Sequence, residues 1–408
     1  MKKTRLLCLL LFVLLLGACS PDYSYSDAES SKQETDKQRI DLLETTFYSG
    51  YYESIGESGL QELFGNSPVK GLCGPNGSLL YANTPTQMIF TYATEQHVWN
   101  YMAYDKLTGN FSYACHDVLC NHDTCMFSTD KKIFSGGKHL YFVPQFGSGE
   151  IYMSDLSGVN SQKISVPMDA ELLSETDQGL YWCKAELENQ KVFYSLWRYE
   201  YSTNDSVRLT KPAENVIFQV VGDTVYVHDM ESLTLYRLSS DFTQRTEVAN
   251  DVINLSNFGG ELYDYDYHTG VLKKLLDGKM TAVATIPSVC DYWVSDGYVY
   301  YCFTDSAQIE ANKSDTELYE YLSKYNQTCG NVYRIKEGED TPKLVYHGAH
   351  DGKPDLIDNI FADGEVLYIQ YRDYQSFDNN FSKERGEKGL VIFDVTTGES
   401  IEIINTNF

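Results

Sequence analysis

The sequence predicts an all-β chain folded as a β-propeller of about seven four-stranded blades, with six and eight as the neighbouring counts. Three observations carry that reading. Tyrosine is abundant, 33 against only 10 prolines in 408 residues, a balance that suits pleated strands with few chain breaks. A short motif, a Gly or Asp turn followed by aliphatic residues and then Tyr, recurs seven times along the chain. Its recurrences begin between 37 and 67 residues apart, the length of a propeller blade.

The motifs are Gly77-Ser-Leu-Leu-Tyr81, Gly137-Lys-His-Leu-Tyr141, Gly179-Leu-Tyr181, Asp223-Thr-Val-Tyr226, Gly260-Glu-Leu-Tyr263, Gly297-Tyr-Val-Tyr300 and Gly364-Glu-Val-Leu-Tyr368. Before most of them lies a short apolar run, such as 216–220 or 292–294. Two such runs about a tight turn make a β-hairpin. A second hairpin follows within the unit. Its first strand is read at 151–153, 235–238, 332–335 and 391–394, and its turn often carries Gly (Gly109, Gly158, Gly338, Gly398). Two hairpins make one four-stranded blade, and residues 40–75 are expected to add an outer strand or a cap. In the sixth unit Leu318, Tyr321, Leu322 and Tyr325 recur at helical spacing, which predicts one short helical insertion.

The N-terminus carries an address. Lys2, Lys3 and Arg5 precede eleven apolar residues, Leu6 to Leu16, a run too short to span a bilayer and suited to a signal-peptide core. Leu16-Gly17-Ala18-Cys19 resembles the lipobox of bacterial lipoproteins. That resemblance implies cleavage behind Ala18, a signal peptide over 1–18 and lipid on Cys19. Residues 19–42 then form a lipidated, polar tether, and 43–408 form the propeller. With its repeated tyrosines the chain is similar to the Tyr-rich propeller lipoproteins of Gram-positive anaerobes. The resemblance implies a lipid-anchored protein on the extracytoplasmic face of the cell membrane and supplies no activity. A net charge of −26 excludes nucleic acid as partner, because phosphate binding needs clustered Lys and Arg.

Lettering the strands of a blade A to D from the centre outward, the A–B and C–D turns share one face and the B–C and D–A connections the other. From the repeated Tyr to the second hairpin the distance is 10 or 11 residues in two units, but 21 from Tyr81 to Met102, 33 from Tyr300 to Tyr333 and 23 from Tyr368 to Val391. These three units are neighbours in a closed ring. Long loops on one sector of a rigid scaffold are where recognition is usually carried. Phe90, Tyr92, Trp99, Tyr319, Tyr371, Tyr374 and Phe377 are therefore the candidate ligand-binding aromatics, suited to stacking on sugars or clasping a peptide.

The most specific local signal is Cys115, Cys120, His122 and Cys125, a C-x4-C-x-H-x2-C cluster in the connection between the first two blades. Three thiolates and an imidazole satisfy a tetrahedral structural Zn2+. In an exported chain the same cysteines also suit disulfides, and both readings stand. A similar Cys/His cluster occurs in the lipoprotein group that the chain resembles.

No G-x-S-x-G elbow, H-E-x-x-H helix, Walker A loop or G-x-G-x-x-G fingerprint is present, so those catalytic machineries are excluded. Asp264 and Asp266 with Asp229 form the one carboxylate set to consider near a channel. With no convincing acid and nucleophile pair, the expected function is a non-enzymatic propeller binding a glycan, peptide or envelope protein through its B–C and D–A loops. The rivals are a propeller enzyme acting on glycans and a structural accessory subunit of an envelope complex.

Overall fold

Two-residue turns set the blade hairpins. At Asp277-Gly278 and Asp296-Gly297 both residues have positive φ, 48° and 76° in the first and 49° and 75° in the second. That is the backbone of a type I′ turn, whose twist matches the strands it joins. Inner strands alternate little because both of their faces are covered, as in Asp291–Ser295, buried at four of five positions. Outer strands such as Arg245–Ala249 are mostly exposed.

The computed structural model describes residues 38–40, 45–46, 81–94, 99–115, 120, 125–128, 131–144, 149–188, 191–266, 268–286, 291–302, 330–350, 353–372 and 388–404. Seven antiparallel blades form a ring, the predicted propeller, with no helix among the described residues. Blade 1 comprises Tyr81–Asn83, Gln87–Thr94, Trp99–Asp105 and Phe111–Tyr113. Blade 2 comprises Lys131–Ser135, Leu140–Pro144, Tyr152–Ser154 and Gln162–Lys163. Blade 3 comprises Glu171–Glu175, Gly179–Glu188, Lys191–Glu200 and Asp205–Arg208. Blades 4 to 7 begin at Val216–Val221, Leu255–Phe258, Asp291–Ser295 and Leu356–Asp363. The helical insertion expected at 315–325 lies outside the described residues.

The first and last described strands meet on blade 7. Gln38–Ile40, a stretch the sequence assigned to the tether, pairs in parallel with the outer strand Ser400–Ile404 as a fifth strand. In blade 1, Thr45–Thr46 and Tyr81–Asn83 both pair with the second strand, at Ala93–Thr94 and Met88–Phe90. The inner strand is thus built from two pieces, Thr45–Thr46 and Tyr81–Asn83. Tyr81 is therefore an inner-strand residue and not the B-strand Tyr of its motif. The A–B turn is Thr84–Thr86, where Thr84 Oγ1 accepts hydrogen bonds from the amides of Thr86 and Gln87 at 3.3 and 2.9 Å, a Thr-built turn with no glycine.

The other six repeated tyrosines all lie on B strands, and five of them are buried to 3% exposure or less. Three spend their hydroxyls on the next blade. Tyr141 donates to Glu175 Oε1 at 2.8 Å, Tyr263 to Glu337 Oε1 at 2.6 Å and Tyr300 to the Gly364 carbonyl at 3.5 Å. Inner-strand aromatics continue the seam across three blades, with Trp293 edge-to-face on Phe258 at 5.1 Å and on Phe361 at 4.7 Å. Between the last blade and the first, Lys106 Nζ donates to Asn83 Oδ1 at 2.6 Å and the Thr84 carbonyl at 2.7 Å, and pairs with Asp363.

Removing one latch tests this account. Tyr263→Phe deletes the hydrogen bonds to Glu261 and Glu337 and is expected to cost about 1–3 kcal/mol, read as a lower urea midpoint with unchanged slope. A midpoint equal to wild type would show that the hydroxyl is idle.

Candidate functional site

The loop sector expected to bind ligand does not survive in blade 1. Only residues 95–98 separate its B and C strands, because the unit was counted from Tyr81 on the A strand. Phe90 is a B-strand core residue, 1% exposed and packed between blades 1 and 7. Tyr92 and Trp99 also lie on strands, paired with Asn100 and Ala93. Tyr371 is 2% exposed, and its hydroxyl donates to Glu402 Oε1 at 2.6 Å. Its ring fills the space beside Gly389, where a Cβ would lie 2.5 Å from it. Phe90 and Tyr371 are thus placed as packing residues of the core. Tyr319, Tyr374, Phe377, His122 and Cys19 lie outside the described residues.

The carboxylate set near the channel is structural as well. Asp264 is fully buried and accepts the amides of Ile253 and Asn254 at 2.7 and 2.9 Å, with Lys273 Nζ at 3.2 Å. Asp229 and Asp266 close turns, accepting the amides of Glu231 and Ser232 and of His268 and Thr269. Each of these carboxylates thus holds backbone amides in place, the role of a turn or strand-end residue.

The cysteines do come together. The Sγ atoms of Cys115, Cys120 and Cys125 all lie within 4.8 Å of one another, each half-buried. The segment is tied down at both ends. The Ala114 amide donates to the Tyr101 carbonyl at 2.9 Å, and Lys131 Nζ reaches Ser128 Oγ at 2.9 Å. Phe127 is buried edge-to-face on Phe142 at 5.2 Å. Cys115 and Cys125 pack on the same core between blades 1 and 2. Burial, with a hydrogen bond to Cys120, pushes the Cys125 thiol up to about 12.

A second group lies on the opposite face, at the A–B turns, and sequence reasoning missed it. Glu175 ends the inner strand of blade 3, and its side chain is fully buried. Five donors converge on it. They are His139 Nδ1, the Tyr141 and Tyr201 hydroxyls at 2.8 and 2.9 Å, and the amides of Lys138 and His139 at 3.0 and 3.3 Å. Burial alone raises the Glu175 carboxyl, but the hydrogen bonds from His139, Tyr141 and the Lys138 amide overcome it and hold the group below its ordinary value. Burial first, then the Glu175 charge, pushes the Tyr141 and Tyr201 phenols upward, so both stay protonated donors.

A carboxylate accepts and does not donate, so His139 Nδ1 carries a proton towards Glu175 and the contact fixes which way the ring's other nitrogen, Nε2, points. The imidazole is 29% exposed, set 5.0 Å from the Tyr201 ring. Lys138 beside it pairs with Asp177. The arrangement can take up and return a proton at Nε2 while Glu175 stabilises the imidazolium. The one available signal was that Gly137-Lys-His-Leu-Tyr141 alone among the seven motifs carries a histidine. Its partner, 36 residues onward in the next blade, leaves no local trace.

The fold is shared with propeller domains of enzymes. An acylaminoacyl peptidase from Pyrococcus horikoshii superposes with a TM-score of 0.50 at 13% identity, covering 81% of this chain and 52% of that one. The propeller domain of the Trilobed protease from Pyrococcus furiosus gives 0.47 at 15% identity, covering 81% and 97%. Oligogalacturonate lyase from Vibrio parahaemolyticus gives 0.45 at 11%, covering 80% and 88%. The chain spans about half the length of the peptidase it matches. No family model and no curated protein matches it. At such identities the likeness establishes the fold. The expectation of a non-enzymatic binder is withdrawn: it rested on the lack of a catalytic motif alone, and the superposed peptidase is itself an enzyme.

The buried charge sets a pH dependence. A carboxyl whose folded pKa is lowered adds stability that is present above its unfolded value, near 4.3, and is lost as pH falls through the folded value. Glu175→Gln is expected to cost on the order of 2 kcal/mol at pH 7. The gap to wild type should close as unfolding is repeated toward pH 3; a gap constant with pH would remove Glu175 as its source.

Proposed function

We propose that the chain is a propeller-fold enzyme acting on glycans, with His139 as its proton-transfer residue and Glu175 as the group that orients it. The observation that carries the reading is the partly exposed imidazole whose Nδ1 is held by a fully buried carboxylate. General bases are recognised by that geometry, an oriented ring with one nitrogen left facing the substrate. The described partners of His139 include no Ser or Cys, so the set suits water activation or proton abstraction rather than a covalent acyl step. The Tyr201 ring beside the imidazole offers a stacking surface for a sugar. A net charge of −26 favours a neutral glycan over a polyanionic one. The work is done at the outer face of the cell membrane, where lipid on Cys19 holds the chain.

Two measurements test the reading. The protein, incubated with a panel of wall and plant polysaccharides, should release new reducing ends, and His139→Ala should lower that rate by about a hundredfold. Turnover of none of them, or a His139→Ala protein as active as wild type, removes the reading. Cells fed labelled palmitate should label the protein and lose the label with Cys19→Ala; equal labelling would remove the anchor.

A further inference from the structure

Three thiols about one point need a reason to stay together. We infer that Cys115, Cys120 and Cys125 hold one Zn2+ ion, which fastens the connection between blades 1 and 2. Zinc–thiolate bonds are about 2.3 Å long, so sulfurs at the corners of a tetrahedron stand about 3.8 Å apart. The three Sγ atoms here lie within 4.8 Å of one another, and shifts under about 1 Å bring them onto a common ion. A disulfide would join two of the three and leave the third thiol half-buried against them. A cation accommodates all three, each sulfur giving up its proton to solvent as it binds.

The surroundings favour an ion that fastens the chain, its fourth position taken by a ligand besides the three thiolates. Cys115 and Cys125 rest on the apolar seam formed by Ala82, Ile133, Leu140 and Phe142, and the chain re-enters that seam at Phe127. The segment on either side is pinned by Ala114 and Ser128. An ion between these anchors closes the loop and removes freedom from the unfolded chain. Soft thiolates select zinc over calcium or magnesium, which take oxygen ligands. The site lies on the face opposite His139 and Glu175, so it is independent of the proposed catalytic couple.

The experiment uses the untagged full chain in detergent, purified with and without reductant. Elemental analysis should find one zinc per chain, and replacement by Co2+ should give the intense near-ultraviolet band of thiolate-to-metal charge transfer together with visible bands of tetrahedral cobalt. Cys115→Ser, Cys120→Ser and Cys125→Ser should each reduce zinc to background. Should those variants fail to fold, the cobalt spectrum of the wild-type chain decides. Zinc at background in reduced wild-type protein, a cobalt spectrum without thiolate bands, or zinc retained by the folded triple variant would each overturn the site. A disulfide between two of the three cysteines in metal-free protein would replace it.

Discussion

The structure depends on how one blade is fastened to the next. A four-stranded blade has two faces, and in a ring both must be covered by neighbours, so most side chains of the A and B strands meet another blade. Apolar area provides the attraction, but it is non-directional and would tolerate sliding. Direction comes from the repeated tyrosines. The rings of Tyr141, Tyr263 and Tyr300 are fully buried, and their hydroxyls end on acceptors of the following blade. A phenol suits this role because its body is apolar and its tip is one hydrogen-bonding group. Phenylalanine would fill the same space without fixing the angle between blades.

The same requirement explains which features were legible in the sequence. A residue needed once per blade repeats once per blade, so the count of seven and the four-strand unit could be read from Tyr positions. Blade 1 departs because its B strand carries Phe90 where the others carry Tyr, and its turn is made by Thr84 rather than glycine. Gly77–Tyr81 imitates the motif in sequence, but its Tyr81 belongs to the inner strand. The mistaken phase lengthened the B–C loop and placed Phe90, Tyr92 and Trp99 in a recognition sector that blade 1 does not have. Tyr371 was misread for a different reason. Its ring faces the glycine at 389, a packing partner on the adjacent strand that spacing along one strand cannot disclose. The cysteine cluster was legible because its donors are close in sequence.

The His139 couple was illegible for the reason that makes it stable. Glu175 belongs to blade 3 and His139 to blade 2, so their contact is one of the blade-to-blade fastenings. The Glu175 carboxylate is satisfied by five donors, which is what permits a charge with no solvent exposure to remain ionised. Such a group is rigid, and rigidity is what an acid–base residue requires of the partner that orients it. Fastening and catalysis are thus compatible uses of one carboxylate. They differ in what they ask of the imidazole. A fastening needs Nδ1 alone, whereas proton transfer needs the second nitrogen within reach of solvent.

That distinction separates His139 from the other interface groups. His228 is also held by one nitrogen, Nε2 donating to the Val252 carbonyl at 2.8 Å, but it is 1% exposed, and burial pushes its pKa down. It remains neutral and meets no substrate. Tyr263 and Lys274 meet at Glu337 across blades 5 and 6, yet neither offers a group titrating near neutral pH. His139 combines a ring oriented by Glu175 with a side chain 29% exposed. At this blade interface a buried carboxylate that holds two blades together also holds an imidazole partly open to solvent.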